Sequence, residues 1–184
     1  MGQAALDVRR RLATLWSDRL GKPEQAARWL EEVASQAPGA EVLGALARIY
    51  RKLGDLPLLT TALKRLAQGT TAPGARKELW LEVARITEEQ IRDRDGAIEA
   101  YRQVLSADPD DLPVMRLLGR LLGMAERFEE QAEFRVREIA LVEKRPGFEA
   151  EGSELRFRLG RLRQDRLGDT AGALEAYREV LARV

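Results

Sequence analysis

The stretch DGAIEAYRQVL, residues 95–105, returns later in the sequence as AGALEAYREVL, residues 171–181. In each copy a small residue, Ala97 or Ala173, is followed four residues later by a tyrosine and seven residues later by a valine. Steps of three and four place side chains on one face of an α-helix. A spacing kept this closely in two distant segments indicates a repeated packing unit.

Three further copies of this pattern, spelled less strictly, open at Ala26, Leu59 and Ala132. The last of them continues through Val136 and Ile139. Successive copies are separated by roughly 35 residues, which is the length of two helices and their turns. A second apolar stripe precedes each copy, and its small residue is Ala13, Ala47, Ala84, Gly119 or Gly160. Each repeat is therefore predicted to be a pair of amphipathic helices.

Glycine and proline fall where such helices should end. Gly21, Gly54 and Gly168 follow first-helix stripes. Glycine adopts the left-handed conformation that closes a helix at the lowest cost. Prolines follow several second-helix stripes, because proline cannot continue a helix. Residues 68–77 and 145–153 are predicted to be the longest loops.

At this point the residues resemble a known family. EVLGALARIYRKLGD, residues 41–55, is similar to the first helix of a tetratricopeptide repeat, with Ala47 as the small residue and Tyr50 as the aromatic one. GAIEAYRQVLSADP, residues 96–109, resembles the second helix. Repeats one, three and five carry one extra residue between the two stripes, and repeat four takes its extra residue inside the second helix. The half-a-tetratricopeptide repeat, linked to RNA-processing assemblies, is therefore the alternative family.

The resemblance implies an all-α fold, a right-handed αα superhelix (solenoid) of about five helix-turn-helix repeats. We expect a single domain over residues 1–184. Its units span roughly 5–38, 40–68, 76–109, 112–145 and 152–184. Because EVLARV, residues 179–184, stops where the first and third copies continue, we expect the sequence to be a piece of a longer array.

The composition argues against several classes of function. The 31 basic and 30 acidic side chains leave a net charge of +1, so no global field draws the chain to nucleic acid or to an anionic membrane. The lack of cysteine and histidine removes thiol chemistry and the two commonest zinc ligands. No apolar run is long enough to span a membrane. We expect a non-catalytic, cytoplasmic protein with no cofactor and no metal.

Carboxylates at two turns are predicted to cap helices rather than to bind calcium. They are Asp93 and Asp95 in one turn and Asp110 and Asp111 in another. The twelve-residue calcium loop with its closing glutamate is missing at both places. Side-chain oxygens at these positions can accept hydrogen bonds from the free amides at a helix start.

Basic residues on the first helices form the candidate binding surface. In tetratricopeptide repeats the first helices line a concave groove that holds peptides, and the resemblance assigns to it Arg48, Arg51, Lys52, Arg85, Arg116, Arg120 and Arg161. Because arginine binds carboxylates bidentately, we expect a protein or peptide partner with an acidic segment. The alternative is that these arginines pair with acidic side chains on neighbouring helices.

A scaffold for protein–protein interaction is the leading interpretation. Self-assembly by stacking through the exposed ends of the array is the alternative. RNA binding is a weaker one, because Asp18, Glu88 and Glu89 interrupt the basic surface.

Overall fold

The computed structural model describes residues 3–16 and 20–182, and all regular structure within these ranges is helical. The α-helices are α1 (Gln3–Thr14), α2 (Pro23–Gln36), α3 (Ala40–Leu53), α4 (Leu56–Gly69), α5 (Pro73–Arg85), α6 (Arg94–Ala107), α7 (Leu112–Met124), α8 (Phe128–Val142), α9 (Glu149–Leu162) and α10 (Thr170–Leu181). Two π-helical segments, Ile86–Ile91 and Arg163–Leu167, continue α5 and α9. The predicted fold class, an all-α chain of helix-turn-helix repeats, is confirmed.

The helices form two compact units, Met1–Ala107 and Asp108–Val184. In the first unit each helix from α1 to α6 packs on the next one along the chain. In the second unit α7 to α10 pack in the same consecutive order. Each unit is thus a stack of helical hairpins in which neighbours in sequence are neighbours in space, as in repeat proteins.

Two first helices begin earlier than predicted. α5 starts at Pro73 and α9 at Glu149, whereas the third and fifth repeats were expected to open at residues 76 and 152. The predicted loops are shortened accordingly. Pro73 can open a helix because the first helical residue has no intrahelical acceptor for its N–H, so a missing N–H costs nothing there.

The extra residue of the third and fifth repeats lies in the π-helical segments. Where it is lacking, the first helix closes with a hydrogen bond across five residues, from the Asp55 amide to the Tyr50 carbonyl at 3.0 Å. Where it is present, the equivalent bond spans six residues, from the Asp93 amide to the Thr87 carbonyl at 3.0 Å. The segment after α9 closes in the same way. A π turn thus absorbs the insertion at the end of the helix.

The small and aromatic residues of the opening motif are packing residues. Ala97 and Tyr101 are buried in the third hairpin, together with Ala84 of the facing helix. In the fifth hairpin the ring of Tyr177 covers Gly160 so closely that a Cβ there would lie 2.5 Å from it. The repeated sequence therefore encodes the close approach of the two helices in a hairpin.

The prediction that Val136 belongs to the core is wrong, because its side chain on α8 is 45% exposed. Ile139 and Val142 do face the core, and Glu138 is buried beside them. The extra residue predicted within this helix explains the difference, since one additional residue rotates the following side chains by about 100°. The core face of α8 therefore turns from Val136 toward Glu138.

The predicted glycine positions are confirmed, with φ of 60° at Gly21, 71° at Gly54 and 64° at Gly168. In the other two hairpins a non-glycine residue adopts this left-handed conformation, Arg92 with φ 62° and Glu126 with φ 58°. The sequence gives no warning of these two, because neither residue type marks a turn.

Aspartate capping is confirmed at two of the four predicted positions. Asp93 accepts a hydrogen bond at 3.0 Å from the third following amide, and Asp111 does the same at the start of α7. Asp95 lies inside the first turn of α6 instead, and Asp110 precedes the cap of α7. Only the residue directly before the helix has the extended backbone that lets its side chain reach back to the free amides.

Candidate protein-binding surface

All seven predicted basic residues are exposed. Four of them share one register position, directly after the small residue of their first helix; they are Arg48, Arg85, Arg120 and Arg161. Arg48 and Arg85 belong to the unit Met1–Ala107, and the other two belong to Asp108–Val184. The repeat therefore presents one exposed arginine at the same place on each of four first helices.

In the first unit Arg51 and Arg85 line an open cleft of about 670 Å³. Residues of α3, α4, α5 and the following π-helical segment form its walls. Leu56, Leu79 and Leu81 contribute apolar surface to it. The cleft therefore combines guanidinium groups with an apolar lining.

Two glutamates of α5, Glu78 and Glu82, also line this cleft. The Arg51 guanidinium donates a hydrogen bond to the Glu82 carboxylate. Both side chains remain accessible to solvent, at 52% and 38% exposure. Ion pairs this exposed contribute only about 0–1 kcal/mol, because water and salt screen them. Arg51 therefore does pair with an acidic side chain of a neighbouring helix, but this ion pair contributes little to stability.

Of the acidic residues that interrupt the basic surface, Glu88 has a structural contact. The buried Tyr101 hydroxyl donates a hydrogen bond to Glu88 Oε2 at 2.8 Å. Burial of the phenol raises the pKa of Tyr101 far above its ordinary value, and the hydrogen bond and charge of Glu88 raise it further. Glu89 is exposed on the same π-helical segment. Asp18 lies outside the described residues.

In the second unit Arg116 is held by two carboxylates. Its Nε donates to Glu138 Oε1 at 3.1 Å, and its Nη2 donates to Glu151. The Glu138 side chain is buried and also accepts a bond at 2.6 Å from Arg135. Removing a partner from a buried carboxylate is costlier than breaking an exposed pair. Arg116 is therefore less available to a partner protein than Arg51.

Arg161, also in the second unit, lies 3.6 Å from the Asp165 carboxylate one turn away. Both side chains are largely exposed. Water screens this pair as it screens that of Arg51. Arg161 thus remains accessible in spite of its partner.

A buried arginine that was not predicted lies elsewhere in the same unit. Arg156 on α9 donates to Glu179 at 2.5 Å and to Glu143 at 2.7 Å, beside a cavity of about 300 Å³. The first hairpin has the same pair at the same register, Arg9 with Glu32 at 2.8 Å. The sequence contained a signal for this ion pair. Both hairpins carry an arginine at the same register position of the first helix and a glutamate at the same register position of the second helix.

Two segments match models of the tetratricopeptide-repeat family, residues 78–111 and residues 154–184. They coincide with the hairpins α5–α6 and α9–α10. No curated protein sequence matches the chain significantly. In the described ranges no helix has both the length and the apolar character that crossing a membrane requires.

Several solved structures are similar to this chain. MamA 41-end from Desulfovibrio magneticus RS-1 is 21% identical with a TM-score of 0.39, covering 100% of this chain and 96% of that one. MamA AMB-1 is 19% identical with a TM-score of 0.48, covering 98% and 92%. The TPR-like repeats of a putative kinesin light chain from Podosopora anserina are 21% identical with a TM-score of 0.47, covering 97% and 94%.

The stacked hairpins and the two matched segments define a helical-repeat protein. Its hairpins α5–α6 and α9–α10 match tetratricopeptide repeats, the family that the first-helix and second-helix motifs predicted. Repeats of this family generally serve as protein-interaction scaffolds, and this chain is assigned to that general class.

Proposed function

We propose that this protein is a non-catalytic scaffold that holds an acidic segment of a partner protein in the cleft of its first unit. The observation that carries the proposal is the presence of two exposed guanidiniums, those of Arg51 and Arg85, at one cleft that also has leucines in its lining. A guanidinium can bind a carboxylate through two parallel hydrogen bonds. The leucines of the cleft would bury apolar side chains of the same segment, which adds affinity without depending on charge.

Glu82 supports the proposal because it already places a carboxylate against Arg51. A partner carboxylate that replaces it exchanges one ion pair for another. Because the existing pair is exposed, this exchange costs at most about 1 kcal/mol. Arg48 lies one helical turn before both Arg51 and Lys52 on α3, three and four residues away, so Arg48 and Lys52 would extend the basic surface around the cleft.

In the second unit we propose Arg120 and Arg161 as additional binding residues. Arg116 has a different proposed role there. Its guanidinium neutralises the buried Glu138, so its charge primarily stabilises α7 against α8. In the second unit the proposed binding residues are therefore Arg120 and Arg161, and the cleft of the first unit remains the main proposed site.

The test measures binding of a fluorescent extended peptide that alternates glutamate with leucine. We expect the double variant R51E/R85E to bind it at least tenfold more weakly than the unmodified chain. We also expect affinity to fall as sodium chloride is raised, because exposed charges are screened by salt. The matched control is Arg158→Glu, an exposed arginine of α9 that also has a glutamate partner. Its affinity should stay within about twofold.

Two results would contradict this function. One is equal affinity of R51E/R85E and the unmodified chain for the peptide. The other is equal binding of a peptide in which every glutamate is replaced by glutamine, because recognition would then not involve charge.

A further inference from the structure

Two leucines of α10 are exposed although their register positions are buried in other second helices. Leu174 is 50% exposed and Leu181 is 76% exposed. They stand one and eight residues after the small residue that opens the motif, so they lie on one side of the helix. The equivalent residues of α2 and α4 are all buried; they are Ala27, Ala34, Thr60 and Ala67. The helix α8 does not follow this register because it carries the extra residue.

A matching exposed pair lies on α1 and on the residue that directly follows it, and we call it the α1 face. Val8 is 56% exposed and Leu15 is 50% exposed. They stand five residues before and two residues after the small residue of the first helix. The equivalent residues of α3, and of α5 with the π-helical segment that continues it, are buried or partly buried; they are Val42, Ile49, Leu79 and Ile86.

These buried positions lie on helices that join consecutive hairpins in the first unit. There α2 packs on α3, and α4 packs on α5. Three residues connect α2 to α3, so the end of α2 lies beside the start of α3. A contact between Glu31 of α2 and the Tyr50 hydroxyl of α3 marks this register. The α10 face, Leu174 and Leu181, and the α1 face, Val8 and Leu15, are therefore the two halves of one kind of joint.

We propose that the α10 face of one copy of this chain packs on the α1 face of a second copy. In this register Leu181 meets Val8 and Leu174 meets Leu15. Arg178 takes the place of Glu31, and Trp16 takes the place of Tyr50. A guanidinium over an indole ring is an attractive pair, so this position also suits a second copy. The contact joins different faces, so it leaves one face of each kind available and builds chains or rings of copies.

The test uses two variants that each block one face. V8E/L15E places charges on the α1 face, and L174E/L181E places them on the α10 face. We expect the mass of the unmodified chain in sedimentation velocity to rise with concentration. Each variant alone should associate at least tenfold more weakly. An equal mixture of the two should form dimers and nothing larger, because one intact face of each kind remains.

The matched control is Leu58→Glu, at an exposed leucine of α4 outside both faces, which should associate like the unmodified chain. Circular dichroism of each variant checks that the helices are retained. Disulfide trapping supplies a second measurement, since the chain has no cysteine. V8C mixed with L181C should give a cross-linked dimer, and V8C alone should not.

Three results would overturn the proposal. They are an unmodified chain that stays monomeric at all concentrations, a mixture of blocked variants that gives no dimer, and a blocked variant that dimerises by itself. If the unmodified chain stays monomeric, the partner of these faces must be another hairpin, from a different chain or from a longer parent. The proposal is independent of the cleft, because none of the substituted residues lines it.

Discussion

Gly160 and Gly119 occupy the same register position on two first helices, yet their surroundings differ. A Cβ at Gly160 would lie 2.5 Å from the Tyr177 ring, whereas a Cβ at Gly119 would meet nothing within 4 Å. Identical letters at identical register thus face different neighbours, because the second helix of the fourth hairpin carries no tyrosine at the corresponding place.

We therefore expect opposite effects of a methyl group at the two positions. Gly160→Ala should lower the free energy of unfolding by about 1–3 kcal/mol, because the tyrosine must shift out of its packed position. Gly119→Ala should raise it by about 0.5–1 kcal/mol, because alanine favours the helix more than glycine does. Urea unfolding followed by circular dichroism measures both. Stabilisation by Gly160→Ala would show that the Tyr177 ring is not held against α9.

Tyr101 predicts a loss of stability at alkaline pH. Burial, followed by the hydrogen bond and charge of Glu88, raises the pKa of Tyr101 above its ordinary value of 10.0. The folded state therefore favours the neutral phenol, so this stabilisation is fully present below pH 10.0 and is lost as pH rises above it.

The free energy of unfolding of the unmodified chain should fall more steeply above about pH 10 than that of Tyr101→Phe, which has no phenol to ionise. At neutral pH the variant should be less stable by about 1 kcal/mol, the contribution of one hydrogen bond. Urea midpoints measured across this pH range provide the comparison. Parallel pH profiles for the two proteins would contradict the assignment.

At the scale of the helices, the π-helical segment Ile86–Ile91 tests whether the extra residue is an insertion in an otherwise regular hairpin. Deletion of the exposed Glu89 should convert this end of α5 to the closure seen after α3 and cost about 1–2 kcal/mol. Deletion of the buried Ala84 should cost more than about 4 kcal/mol, because every later residue of the stripe changes face.

Circular dichroism and urea unfolding of the two deletion variants measure this difference. Equal destabilisation by both deletions would mean that the π turn is required for the hairpin and is not a tolerated insertion.

The helix α8 shows that the hydrophobic pattern of a single helix does not always identify its buried face. Hydrophobic spacing continues the stripe of α8 from Ala132 to Val136, four residues later, whereas Glu138 lies six residues later and off that face. A buried glutamate is excluded by hydrophobic patterning alone. It is accepted here because Arg116 and Arg135 neutralise it, and Arg116 lies on α7, 22 residues away in sequence.

For the whole molecule, the two units predict different behaviour when they are separated. The first contains three hairpins and includes every residue that lines the cleft. The second contains two hairpins, and stacks of fewer than about three repeats are usually too small to be stable. We expect a fragment of residues 1–107 to be folded and to bind the glutamate–leucine peptide within about threefold of the full chain.

A fragment of residues 108–184 should be much less helical in isolation and should not bind the peptide. Circular dichroism and fluorescence anisotropy of the two fragments and the full chain test this. Binding by the second fragment alone would place the peptide site on Arg120 and Arg161 instead of the cleft.

The sequence by itself determined the helices, their pairing into hairpins, the glycine turns and the exposure of the seven basic residues. It could do so because these features follow from spacing along one or two helices. Only the tertiary structure decided which carboxylates Arg51 and Arg116 pair with. Arg51 and Arg116 look alike in sequence, but Arg51 pairs with an exposed carboxylate 31 residues away and Arg116 with a buried one. Partners this distant are brought together by helix packing, which periodicity does not specify.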